Sequence, residues 1–173
     1  HALLPRGRDV LADVVGPHRQ LPVSAVHQHR QLHRLWPTDI AQRIRQPQGR
    51  FDNPPHLVAT EVKVKAADGT LVPLSIVHRK GLKLDGGNPT IVYGYGAYGI
   101  ATTPFFRPTW LSWFDRGGVL AVAHVRGGGE FGEDWHKAGF QATKANTWRD
   151  AIACAEWLVA NKYASPAKMS VMG

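Results

Sequence analysis

The first candidate for chemistry is a glycine-rich loop at residues 94–99, which matches the pattern G-x-G-x-x-G directly after an apolar run. In a dinucleotide-binding fold such a loop leads at once into a helix, whose N-terminal amides meet the pyrophosphate. Here Pro104 and Pro108 follow instead, and the nearby pairs Thr102-Thr103 and Phe105-Phe106 do not resemble a first helical turn. A nucleotide-binding fold therefore stays an alternative, and it requires a helix that begins at Gly99.

A second glycine-rich loop, residues 126–132, contains three consecutive glycines after the apolar run 119–125. A phosphate-binding loop carries a Lys followed by Ser or Thr at the start of a helix, and this segment carries neither. The sequence therefore predicts a tight structural loop that Arg126 and Glu130 fix through polar contacts.

Histidines are the other residues to test for chemistry. His29 and His33 would lie one turn apart on a helix, but no carboxylate or Cys completes a metal-binding set around them. His124 lies within an apolar run, and His136 follows the second glycine-rich loop. We interpret both as hydrogen-bonded structural histidines rather than as general bases, and we predict no metal site.

The elements around these loops follow an α/β order. Residues 58–66 and 71–78 have extended composition, and Asp68 and Gly69 between them favour a turn, so a β-hairpin is predicted. The continuous apolar run 119–125 is typical of a strand that helices cover on both faces of a parallel sheet. A further strand is predicted at residues 168–172.

The best predicted helix begins at Thr147, whose hydroxyl would cap it while Asp150 completes an arrangement resembling a capping box. One apolar stripe is predicted to face the core. Its members are Trp148, Ala151, Ile152, Cys154, Ala155, Leu158 and Val159. Cys154 is the only cysteine, so we expect a buried apolar filler and no intrachain disulfide.

Residues 1–50 differ in composition from the rest of the chain. They contain eight Arg and three Asp but no Lys or Glu, so they carry much of the net charge of +8. We interpret them as an unassigned basic segment, either disordered or translated out of frame. The competing interpretation is a basic module that binds nucleic acid without catalysis, although the segment lacks the interleaved aromatic residues of such modules.

Taken in order, four segments resemble successive signatures of the prolyl oligopeptidase family of serine peptidases. They are PTIVYGYGAYG at 89–99, RGGVLAVAHVRGGGEFG at 116–132, WHKAG at 135–139 and NTWRD at 146–150. The resemblance extends over residues 51–173 without an evident gap. It implies the N-terminal half of an α/β-hydrolase catalytic domain, in a peptidase that a β-propeller caps and that cleaves short peptides mostly after proline.

The resemblance also implies roles for individual residues. Gly173 matches the first glycine of the nucleophile motif G-x-S-x-G, so the Ser, Asp and His of the triad are expected beyond it. Tyr95 matches the tyrosine that helps to stabilise the oxyanion. Tyr98 matches an aromatic residue of the proline-binding pocket, where the family often carries Phe. The 173 residues alone are therefore expected to be inactive, and poorly soluble because half a sheet exposes its edge.

For the parent protein, the resemblance implies an acyl-enzyme mechanism with no metal or organic cofactor. The expected partners are short proline-containing peptides, with no specific nucleic acid and no membrane. Cleavage after basic residues and an acylaminoacyl-peptidase-like activity are related possibilities. We expect a cytoplasmic protein, with a periplasmic location as the alternative.

Overall fold

A computed structural model of the chain describes residues 20–21, 54–102 and 107–173. The strands are β1 (Gln20–Leu21), β2 (Leu57–Lys65), β3 (Leu71–Arg79), β4 (Thr90–Tyr93), β5 (Val119–Ala123) and β6 (Met169–Met172). The α-helices are α1 (Leu111–Asp115), α2 (Glu133–Lys137) and α3 (Ala145–Ala160). Single 3-10 turns lie at Pro108–Trp110, Gln141–Thr143 and Pro166–Lys168.

The predicted hairpin is present as β2 and β3, which pair antiparallel from Leu57 opposite Arg79 to Lys65 opposite Leu71. Its turn closes because the Ala66 amide donates to the Thr70 carbonyl at 2.8 Å. Within the turn, the Asp68 carboxylate accepts the Thr70 amide at 3.0 Å. This is the local chemistry that the Asp-Gly pair indicates in the sequence.

The six strands form one mixed sheet in the order β1-β2-β3-β5-β4-β6. Strand β5 pairs antiparallel with β3 and parallel with β4, and β4 also pairs parallel with β6. Because the three C-terminal strands run in the same direction, their carboxyl ends meet at one edge of the sheet. The chain therefore adopts the predicted partial α/β fold.

Helices cover both faces of β5, which agrees with its continuous apolar sequence. Side chains alternate between the faces of a strand. On one face, Ala121 packs in a cluster with Cys154 and Leu158 of α3. On the other face, Leu120 and Val122 pack with Phe114 of α1. Burial raises the pKa of the Cys154 thiol to about 12, so its interpretation as an apolar filler is consistent with its surroundings.

The predicted start of α3 was wrong, because the helix begins at Ala145 and Thr147 does not cap it. The Thr147 hydroxyl instead donates to the Arg126 carbonyl at 2.7 Å. Asp150 is fully buried and binds the Arg126 side chain. Both polar side chains therefore face the loop after β5 rather than the first turn of their own helix.

The predicted apolar stripe of α3 was also partly wrong. Cys154 and Leu158 are buried, but Trp148 and Ile152 are 58% and 56% exposed. The buried face of the helix is completed by Thr147 and Asp150, together with the fully buried Cys154 and Leu158. The prediction assumed that only apolar residues face the core, whereas a buried arginine turns the polar pair inward.

One alternative from the sequence, the dinucleotide-binding fold, can be tested on the described residues. Residues 94–102 contain no helix, so the alternative of a dinucleotide-binding helix at Gly99 was wrong. Within the described ranges, no group of His, Cys, Asp and Glu side chains could hold a metal ion, and no helix is long and apolar enough to cross a membrane. His29 and His33 lie outside the described residues. So do the other residues of the segment 1–50 apart from β1, and the predicted domain division therefore stays a prediction.

Candidate active site

Two loops and one chain segment meet at the carboxyl ends of the parallel strands. The tyrosine loop, residues 94–99, follows β4, and the glycine loop, residues 126–132, begins just after β5. Gly173 follows β6. Because β4 lies between β5 and β6, the tyrosine loop is the central one of the three.

A buried arginine fixes the start of the glycine loop. The Arg126 guanidinium donates to both carboxylate oxygens of Asp150, from Nε at 2.9 Å and from Nη2 at 2.6 Å. Its Nη1 donates to Asp68 in the hairpin turn at 2.5 Å. These bonds hold the pKa of the Asp68 carboxyl at about 2 and raise the pKa of Arg126 above its ordinary value. One side chain thus joins the hairpin, the loop and α3.

The two loops pack backbone against backbone, which explains their glycines. At Gly127, φ is +98° and an added Cβ would lie 2.1 Å from the Gly96 carbonyl oxygen. At Gly96, φ is +62° and an added Cβ would lie 2.5 Å from a Thr147 methyl carbon. Only glycine fits either position. Glycine at position 96 is therefore a packing requirement, and the predicted structural interpretation of the glycine loop agrees with its contacts.

His136 and the tyrosine loop share one backbone acceptor. The Gly127 carbonyl accepts the Gly99 amide at 3.2 Å and His136 Nδ1–H at 2.8 Å. The His136 ring also lies against Gly99, where an added Cβ would be 3.5 Å from the ring. His136 therefore has the structural role that the sequence indicates.

His124 is fully buried directly after β5, and its Nε2 lies 2.8 Å from the Ser75 hydroxyl of β3. The Glu130 carboxylate accepts the Thr102 amide at 2.8 Å and lies 3.7 Å from His124 Nδ1. His124 is thus a hydrogen-bonded core histidine, as predicted. Glu130 anchors the chain that leaves the tyrosine loop.

Tyr95 is half-buried and lies between two glycines that neighbouring elements fix. On one side, the Gly94 amide donates to the Met172 carbonyl at 3.0 Å. Gly94 also touches Gly173 so closely that a Cβ added there would lie 2.2 Å from the Gly94 carbonyl oxygen. On the other side, Gly96 is packed against α3 and the glycine loop. Tyr95 therefore lies beside the point where the chain leaves β6.

Tyr98 has a different environment on the same loop. Its φ is +55°, a left-handed conformation that is uncommon for an aromatic residue, and the side chain is 82% exposed. Its ring centroid lies 6.4 Å from that of Tyr95. The structure therefore brings the two predicted site residues together, with Tyr95 half-buried and Tyr98 exposed.

Sequence reasoning gave Asp68 and Asp150 only local roles and did not name Lys144, although all three charged residues hold this edge together. The Lys144 ammonium donates to the Gly96 carbonyl at 2.5 Å. Asp150 carried a usable signal, because it lies on the same helical face as Cys154 and Leu158, and a carboxylate there requires a buried partner. Asp68 and Lys144 had no comparable signal, since their partners lie far away in the sequence.

A helix-covered mixed sheet, with two glycine-containing loops at the carboxyl ends of its parallel strands, defines an α/β-type domain. Residues 104–173 match the model of the prolyl oligopeptidase family. Among solved structures, a prolyl endopeptidase is similar with a TM-score of 0.66 and 45% identity, over 67% of this chain and 17% of that one. A post-proline cleaving enzyme from Rickettsia typhi gives a TM-score of 0.70 and 29% identity, over 73% of this chain and 19% of that one.

Curated relatives agree with this assignment. The dual function macrocyclase-peptidase POPB of Amanita bisporigera is 50% identical over 116 residues, which are 66% of this chain and 16% of the relative. The prolyl endopeptidase of Elizabethkingia meningoseptica is 42% identical over 136 residues, or 79% of this chain and 19% of the relative. The chain therefore belongs to the prolyl oligopeptidase family, and it spans less than a fifth of the length of these relatives.

Proposed function

We propose that these residues form the first part of the catalytic domain of a serine-type oligopeptidase that hydrolyses short peptides after proline. The observation that carries the proposal is the contact between Gly94 and Gly173. It places Tyr95 next to the end of β6, where the family resemblance puts the start of the nucleophile motif. A tyrosine hydroxyl in that position is suited to stabilise charge on a substrate carbonyl oxygen.

In the proposed reaction, the serine hydroxyl gives its proton to a histidine base and its oxygen attacks the peptide carbonyl carbon. The carbonyl oxygen becomes an oxyanion, to which the Tyr95 hydroxyl and the amide after the serine donate hydrogen bonds. The C–N bond then breaks, and the amine leaves with the proton from histidine. Water attacks the resulting ester, which releases the acid and restores the serine. The reaction is proposed to need no metal or organic cofactor.

The exposed ring of Tyr98 is proposed to form part of the surface that receives the proline side chain. Its left-handed backbone presents the ring away from the protein, close to Tyr95. An aromatic face is a suitable contact for the flat, apolar pyrrolidine ring. Its neighbour Tyr95 would then lie near the carbonyl group of the same proline, which is the group that the serine attacks.

The test is hydrolysis by the full-length polypeptide that contains these residues. We expect release of p-nitroaniline from succinyl-Gly-Pro-p-nitroanilide, much less from matched substrates with Ala or Lys in place of Pro, and complete inhibition by a fluorophosphonate. Cleavage after Lys but not Pro would replace the proposed specificity. A full-length polypeptide that neither cleaves these substrates nor reacts with the fluorophosphonate would overturn the proposal.

A polypeptide limited to the 173 residues serves as the control. None of its residues forms the motif G-x-S-x-G, so no serine is presented on a nucleophile turn. We expect it to release no p-nitroaniline above the buffer rate. Fluorophosphonate-sensitive hydrolysis by this polypeptide would show that a different nucleophile operates within these residues.

A further inference from the structure

Lys144 makes an unusual contact for a lysine at the start of a helix. It immediately precedes α3, and its side chain is half-buried and reaches back to the tyrosine loop. Its ammonium donates to the Gly96 carbonyl oxygen at 2.5 Å, across 48 positions of sequence. A hydrogen bond from a charged donor is roughly twice as strong as a neutral one.

The ammonium is restrained from a second side as well. It lies 5.2 Å from the ring centroid of Trp148, one turn further along α3. Trp148 is largely exposed, so core packing does not account for an indole at this position. Stacking a cation over the ring reduces the number of positions that the flexible lysine side chain can adopt.

The carbonyl that Lys144 binds belongs to the residue directly after Tyr95. Its hydrogen bond fixes the plane of the peptide between Gly96 and Ala97, while the bond from the Gly94 amide to Met172 fixes the backbone before Tyr95. Gly96 also packs against Val125, Arg126, Gly127 and Thr147. The backbone of Tyr95 is therefore fixed on both sides, and on one of them by a charge.

We propose that Lys144, guided by Trp148, is a positioning residue for Tyr95. The inference rests on the proposed function, because it assigns Lys144 the task of holding the tyrosine hydroxyl where the oxyanion forms. An oxyanion donor is effective only when it is already oriented before charge develops. Small displacements of such a group reduce the rate steeply. Lys144 would thus act on the reaction through the Gly96 carbonyl rather than through a contact with the substrate.

The experiment measures kcat and KM for proline p-nitroanilide hydrolysis by the full-length polypeptide and its variants. Lys144→Met is expected to lower kcat about tenfold and to leave KM within about twofold, because transition-state contacts act on kcat. Lys144→Arg keeps a charged donor and is expected to retain most of the kcat. The matched control is Lys137→Met, since Lys137 is an exposed lysine that pairs with Glu133 on the surface.

A double-mutant cycle with Tyr95→Phe distinguishes positioning from a general effect on folding. Once the hydroxyl is absent, adding Lys144→Met is expected to change kcat by less than about twofold, because coupled residues are not additive. An equal loss of kcat with and without the Tyr95 hydroxyl, or no loss from Lys144→Met alone, would overturn the inference. If Tyr95→Phe itself leaves kcat unchanged, the oxyanion role in the proposed function fails instead.

Trp148→Leu provides a second test of the proposal in case Lys144→Met does not fold. The indole is exposed, so its replacement is expected to leave the melting temperature within about 2 °C. It is expected to lower kcat about two- to threefold, again with KM unchanged, because it frees the Lys144 ammonium. A kcat equal to that of the unaltered enzyme would contradict the proposal, because freeing the Lys144 ammonium would then have no effect on Tyr95.

Discussion

The two strands that flank β4 have similar apolar sequences but opposite environments. All five residues of β5 are at most 1% exposed, whereas Val171 and Met172 of β6 are 76% and 40% exposed. Strand β5 has a strand on each edge and a helix on each face. Among the described residues, β6 pairs with β4 alone. The difference shows that apolar composition does not determine burial, which depends on what neighbouring elements supply.

The same contrast applies to the two sides of the tyrosine loop. On the β5 side, Arg126, Asp150 and Thr147 form a buried polar group that fixes the glycine loop. On the β6 side, the contacts are a backbone hydrogen bond and one close approach at Gly94. We infer that the β5 side sets the shape of the loop. The β6 side brings that loop to the position where the nucleophile motif is proposed to begin.

The largest effect is expected from placing a lysine in each of the two strands. Val122→Lys buries a charge beside Phe114 in β5 and is expected to cost more than about 4 kcal/mol, which prevents folding. Val171→Lys is expected to change stability by less than about 0.5 kcal/mol in a polypeptide that ends at Gly173, and to raise its soluble fraction. Soluble yield and circular dichroism measure both effects. Equal losses of folded, soluble protein from the two variants would contradict the difference in environment between β5 and β6.

The next effect concerns the buried charges on the β5 side. Asp150→Ala leaves the Arg126 guanidinium buried without its main partner and is expected to cost about 3–5 kcal/mol. The matched control is Glu156→Ala, which removes an exposed carboxylate from the same helix at little cost. Urea unfolding of the full-length polypeptide measures both. A loss below 1 kcal/mol for Asp150→Ala, on the order of a surface pair, would mean that solvent reaches Arg126.

A pair of glycines tests the backbone contact between the two loops. Gly127 and Gly81 both have positive φ, but a Cβ at Gly81 meets no atom within 4 Å. Gly81→Ala is therefore expected to cost about 1 kcal/mol for its backbone conformation. Gly127→Ala adds a collision with the Gly96 carbonyl and is expected to cost at least about 2 kcal/mol more. Equal losses in thermal unfolding would show that the loops separate easily.

These contacts also show which parts of the molecule the sequence can predict. The hairpin, the strand order along the chain, and the structural roles of His124 and His136 follow from local patterns, and the structure agrees with them. The position of β5 between β3 and β4 has no local signal, because parallel pairing depends on the crossover. The Arg126 side chain binds Asp150, which is 24 positions away in the sequence, and Asp68, which is 58 positions away. No periodicity in the sequence indicates these contacts.

In the candidate site, too, some features have a local signal in the sequence and others depend on distant residues. Tyr95 and Tyr98 could be named from a motif, because their spacing lies within one loop. The half-burial of Tyr95 and the exposure of Tyr98 depend on Gly94, Gly96 and their partners in other elements. The error at Trp148 has a related cause, since hydrophobic periodicity cannot distinguish an indole that faces the core from one that stacks under a lysine.

The smallest effect on stability is expected in acid, at Asp68, which is the more exposed carboxylate partner of Arg126. The Arg126 bond lowers the folded pKa of Asp68 to about 2, below the unfolded value of about 3.9. The resulting stability is present above about pH 5 and is lost as the pH falls towards 2. Asp68→Asn is therefore expected to lose less stability between pH 5 and pH 2.5 than the unaltered protein. Urea unfolding tests this, with the exposed Asp134→Asn as a control that keeps the original slope.

Tyr95→Phe in the full-length polypeptide tests the proposed role of Tyr95 directly. We expect kcat for succinyl-Gly-Pro-p-nitroanilide to fall about 10²- to 10³-fold, the usual result of removing one oxyanion donor, while KM and the melting temperature stay unchanged. An unchanged kcat would contradict the central claim that the carboxyl edge of this sheet places Tyr95 at the reacting carbonyl.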